Sequence, residues 1–140
     1  LRKIAELEYM PLYEEKSNLY CSHHHPLFDI AEQQDVIPLV PNYAAVAPAY
    51  AQTAATKNQY QKLKTSSTAN DREGVAFLIM TGCFIGYLPT HYAAQWIQQG
   101  KMKPLCESHF HYTTDYAVIH KKNAPMNYLV DAWFKELIKT

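Results

Sequence analysis

The run from Thr68 to Pro89, TANDREGVAFLIMTGCFIGYLP, constrains the fold more than any other stretch of the chain. Polar residues open it, an apolar helix pattern follows, a glycine stops the helix, and a short apolar strand closes on Leu88-Pro89. Thr68 and Asp71 have the spacing of a capping box, and Asn70 with Glu73 offers the same cap two residues later. Val75, Leu78 and Ile79 recur on one helical face, and Gly82 stands where a left-handed residue ends a helix. The pattern predicts a helix from Asn70 to Thr81, a strand from Phe84 to Leu88, and a further helix from Thr90, its cap, to Gln99, stopped at Gly100. A strand, loop and helix series of this kind leaves free backbone N–H groups at a helix start, a geometry that suits an anionic or polar ligand.

Along the rest of the chain, strand and helix patterns alternate. Glu8 to Tyr13 and Ser17 to Ser22 read as strands, Phe28 to Gln34 as a short helix or turn, and Val36 to Val40 as a strand interrupted by Pro38. Ala45 to Asn58 reads as an alanine-rich helix with Pro48 in its first turn. Tyr60 to Thr65, Lys101 to Leu105 and Tyr112 to His120 read as strands. Asn123 caps a final helix whose Met126, Leu129, Val130, Trp133 and Leu137 form a wide apolar stripe. Such alternation predicts an open α/β sheet with helices on both faces.

Thirteen basic and thirteen acidic residues give no net charge, so this piece carries no electrostatic footprint for DNA. Hydrophobic residues make up 48% of the 140 positions, enough to bury a core. No apolar run reaches the length of a membrane span, and Leu1 to Glu6 lacks the layout of a signal peptide, so a cytoplasmic location is expected. Leu1 is not an initiator, and the chain reads as a piece of a longer protein. Cys21, Cys83 and Cys106 are widely and irregularly spaced, the pattern of reduced thiols. No Ser-His-acid spacing and no phosphate-cradling glycine loop is present, and no enzymatic activity is expected.

In order and spacing the segments resemble the effector-binding domain of LysR-type transcriptional regulators. In that family a helix leads into a Gly-x-Gly-Ile-x-x-Leu-Pro turn. This chain reads Gly82-Cys83-Phe84-Ile85-Gly86-Tyr87-Leu88-Pro89, with Phe84 in place of the second glycine. Pro11 to Glu15, then Leu19 to Ser22 and His25-Pro26-Leu27, is similar to the family's strand pair ending in His-Pro-Leu. Pro38-Leu39-Val40 resembles the strand that enters the ligand cleft. Trp96 to Leu105 and Tyr116 to His120 match the later helix and strands.

The resemblance implies a periplasmic-binding-protein-like α/β fold, two subdomains with a central cleft. Residues 1–27 would end the first subdomain, 28–107 form the second, and 108–140 return to the first, which is incomplete in this chain. It also implies a small-molecule effector, a homodimer or homotetramer, and DNA contact through a winged helix-turn-helix outside this chain. On that reading Phe28 to Glu107 is the compact unit, and the two flanking pieces are ordered by residues beyond the chain.

Ligands of open α/β sheets sit beyond the carboxyl ends of the strands, which this reading places at Pro41-Asn42-Tyr43 and Ser66-Ser67-Thr68. The family takes ligand contacts from these two places. Asn42, Tyr43, Ser67, Thr68 and Asn70 are therefore the candidate ligand-binding residues. Thr68 and Asn70 also read as plain helix caps, and Asn42 and Tyr43 as turn and rim residues. Arg72 is either a carboxylate clamp or a solvated surface charge, so an acid, an amine or a neutral effector all stay open.

Two other readings compete. His23-His24-His25 and Cys106-Glu107-Ser108-His109-Phe110-His111 hold metal-binding residue types, yet their spacing matches no closed zinc framework, and no metal or cofactor is expected. A solute-binding protein of a transport system would share the cleft but carry a secretory signal upstream.

Overall fold

A computed structural model describes residues 7–49 and 54–121. Six strands form one mixed sheet: β1 (Leu7–Ser22), β2 (Ala44–Pro48), β3 (Lys64–Ala69), β4 (Ile85–Pro89), β5 (Met102–Pro104) and β6 (His111–Lys121). Among the described residues three α-helices accompany them: α1 (Ala54–Tyr60), α2 (Arg72–Met80) and α3 (Thr90–Gln98). The strand order is β3-β2-β4-β1-β5, and β6 also pairs with β1. The chain divides into a compact unit from Lys16 to Thr113 and a second unit of Leu1–Glu15 with Thr114–Thr140. The expected second subdomain, 28–107, falls inside the Lys16–Thr113 unit, which also takes in the later half of β1 and residues 108–113. In the other unit the described residues are the outer stretches of β1 and β6. The expected terminal helix from Asn123 lies outside the described residues. Among those described, no helix is long and apolar enough to cross a membrane.

Within Lys16–Thr113, β2 runs parallel to β3 and to β4, whereas β1 is antiparallel to β4 and β5. Parallel neighbours need crossover connections, and helices supply them. The two faces of the sheet bury separate clusters. One holds Leu19, Cys21, Leu27, Val36, Val40, Ile85, Tyr87, Leu105 and Phe110, with Tyr60 of α1 packed against it. The other holds Tyr20, Val46, Val75, Ile79, Leu88, Ala93 and Met102, drawn from the sheet, α2 and α3.

Several local expectations are corrected. The two strands expected between Glu8 and Ser22 are one continuous β1. Val36–Val40 is not a strand: it lies in consecutive 3-10 turns, Gln34–Val36 and Val40–Asn42, the second beginning at Val40-Pro41. Val36 and Val40 are both buried, four residues apart, which is the spacing of a turn of helix and not of a half-buried strand.

The alanine-rich helix expected over 45–58 is split. Ala44–Pro48 is the strand β2, buried at Ala45, Val46 and Ala47 between two parallel neighbours, and helix begins only at Ala54. Ladder hydrogen bonds on both sides outweigh alanine's helix preference of a few tenths of a kcal/mol per residue, roughly. The strand expected at Tyr60–Thr65 is displaced to Lys64–Ala69, because Tyr60 still belongs to α1. A register shift between Ala45 and Val46 leaves Ser66 as the extra residue opposite β2.

Candidate functional site

The parallel strands place their carboxyl ends side by side. Ser67 pairs with Val46, Thr68 with Ala47 and Ala69 with Pro48, so the ends of β3 and β2 are level. The Ala49 N–H then donates to the Ala69 carbonyl at 2.8 Å and holds the two chain exits together. Ser67 is half-buried, while Thr68 and Asn70 are exposed.

From this edge α2 rises. Asp71, in extended conformation, caps it, its Oδ1 accepting from the Gly74 N–H at 2.8 Å. Neither expected capping register is used, since Asp71 itself is the cap and Arg72 the first helical residue. That frees the Thr68 and Asn70 side chains from the capping bond that sequence spacing had offered them. Space at Gly74 is tight: a Cβ would come within 3.1 Å of Ala69 Cβ and 3.2 Å of Asp71 Oδ1. Val75 and Ile79 are buried on the predicted face, and Gly82, at φ 81°, terminates the helix in the left-handed region as expected.

β4 delivers α3 to the same end. The expected cap at Thr90 is corrected: Pro89 occupies the cap position, no side chain closes the first turn, and Thr90 is the first helical residue. The helix start therefore keeps N–H donors that no capping side chain takes up. Arg72 and Tyr92 connect the first turns of α2 and α3, the guanidinium lying 5.6 Å from the ring centroid. Burial, then the Glu73 carboxylate, raises the Tyr92 phenol above its ordinary pKa, and Arg72 acts against that shift.

The topology adds a geometric feature that spacing could not supply. β2 and β4 are parallel neighbours, yet the connection after β2 runs through α1, whose Tyr60 packs on one face, while α3 leaves β4 on the opposite face. Adjacent strands whose connections part to opposite faces leave a crevice at their carboxyl ends, the usual position for ligands of open α/β sheets.

Asn42 and Tyr43 stand elsewhere. They precede β2, and Ala44 pairs with Lys64, so they sit at the amino end of the β2–β3 pair while Ser67, Thr68 and Asn70 cluster at the carboxyl end. Asn42 is exposed, and its N–H donates to Leu39 O at 3.0 Å. The half-buried Tyr43 ring packs with His25, the centroids 5.2 Å apart. His25 is buried and its Nδ1 accepts the Leu27 N–H at 3.0 Å, which fixes the ring with the proton on Nε2. Burial lowers its pKa.

Two residues of the histidine runs contact backbone carbonyls. His23 Nδ1 is 3.2 Å from Lys101 O, and the His111 ring N–H donates to Glu107 O at 2.9 Å. Among the described residues no group of three or more His, Cys, Asp or Glu side chains is placed to hold a metal ion. All three cysteines are free thiols.

Comparison with known proteins agrees with this architecture. Residues 2–140 match the LysR substrate binding domain family. The HTH-type transcriptional activator BauR of Pseudomonas aeruginosa is 42% identical over 132 residues, which cover 94% of this chain and 43% of that protein. The chain thus spans less than half the length of this curated relative. Among solved structures, the regulatory domain of Synechocystis CcmR in complex with 2-PG superposes with a TM-score of 0.73 at 15% identity, over 96% of this chain and 66% of that one. The effector binding domain of QuiR in complex with shikimate gives 0.66 at 14% identity, over 99% and 66%. These likenesses establish the periplasmic-binding-protein-like α/β fold, a mixed sheet with flanking helices.

Proposed function

Because this chain belongs to the LysR substrate binding domain family, we propose that it binds a small-molecule effector at the carboxyl ends of β2, β3 and β4 and relays that event to a DNA-binding module carried elsewhere in the protein. The observation that carries this reading is the parting of the connections after β2 and β4, where α1 and α3 depart to opposite faces of the sheet. Ser67, Thr68 and Asn70 are the effector's contacts on the β3 side, and the first turn of α3 supplies backbone donors. Asn42 and Tyr43, at the opposite end of β2, serve the turn and the core packing instead. The relative BauR is a transcriptional activator, and CcmR and QuiR are similar folds seen with a ligand, which supports an effector-controlled regulator. The intact protein is a homodimer or homotetramer on this reading, and it touches DNA through a winged helix-turn-helix outside these residues.

The test is a thermal-shift screen of small acids, amines and neutral polar compounds against the full-length protein, followed by calorimetry. A true effector at about a hundred times its Kd stabilises the fold by roughly 2.7 kcal/mol. Thr68→Val should abolish that binding and leave stability within about 0.5 kcal/mol, since the side chain is exposed and caps nothing. Unchanged effector affinity in the variant removes Thr68 from the site.

A further inference from the structure

We draw no further inference here: the strongest candidate, the solvent-facing side of α2 with Phe77 72% exposed near its middle, is an unpartnered apolar face, and nothing in the structure shows what covers it.

Discussion

Gly86 of β4 faces Val46 of β2 so closely that a Cβ on the glycine would stand 2.8 Å from Val46 Cγ1, with Val75 Cγ1 and Ile79 Cδ1 of α2 each at 3.2 Å. The contact seats α2 directly on the two central parallel strands, so the strand ends and the helix starts of the proposed effector site depend on a missing methyl group. Gly86→Ala should destabilise the fold by about 1–3 kcal/mol through overpacking. The double variant Gly86→Ala with Val46→Ala should recover part of that loss in urea unfolding. An alanine variant as stable as the parent would show that the strands separate freely here.

Asp71 holds the first turn of α2 through Gly74. Asp71→Ala should cost about 1 kcal/mol, and Asp71→Asn much less, because the amide oxygen can still accept the Gly74 N–H. Thr68→Ala should leave chemical-denaturation midpoints almost unmoved. A loss in Thr68→Ala equal to that in Asp71→Ala would revive the capping box that the geometry rejects.

His25 makes stability sensitive to acid. Its pKa is lowered by burial in the folded chain, so the unfolded chain takes up the proton first as pH falls. The neutral ring's contribution is complete above the ordinary histidine pKa of about 6.5 and drains away as pH drops from there toward the folded value. His25→Asn keeps an acceptor for the Leu27 N–H and removes the titration. Between about pH 7.5 and about pH 5.5 the parent should lose more stability than this variant. Parallel losses in the two proteins would mean that His25 does not titrate on unfolding.

The thiols should separate by accessibility. Burial pushes the Cys21 thiol up to about 12, Cys106 is also buried, and Cys83 is exposed. Under native conditions iodoacetamide should label Cys83 first, with Cys21 following only on unfolding. Mass spectrometry of the labelled peptides reads this directly, and early labelling of Cys21 would contradict its place in the core.

Removing the Tyr87 hydroxyl isolates one long-range bond. Tyr87 Oη donates to Gln59 Oε1 at 3.1 Å, which ties β4 to α1, and the Tyr87 ring packs with Tyr60 and Tyr112 at 5.3 and 5.0 Å. Tyr87→Phe keeps the rings and should cost about 0.5–1.5 kcal/mol, whereas Tyr87→Ala should cost about 3–5 kcal/mol. Equal losses in the two variants would assign the whole contribution to the hydroxyl.

The amino-acid sequence by itself determined those parts of the fold whose causes are local. Gly82 and Gly100 both adopt the positive φ that a helix stop requires, Val75 and Ile79 are buried on the predicted face, and an apolar run ending in Leu88-Pro89 is a strand. The candidate residues Ser67, Thr68 and Asn70 could be named because they lie just before a legible helix start, although the strand that carries Ser67 and Thr68 was placed about four residues too early. Only the tertiary structure decided β2 and the turns ahead of it. Ala44–Pro48 has a helix former's composition and becomes a strand because β3 and β4 hydrogen-bond to it from both sides. Val36–Val40 has a strand former's composition and becomes 3-10 turn because its valines fill one core from one side. Those two reversals moved Asn42 and Tyr43 from the carboxyl end of a strand to the amino end of another. Local propensity differs by tenths of a kcal/mol per residue, roughly, whereas burying a single valine is worth about 1.5 kcal/mol or more, so long-range packing prevails wherever the two disagree.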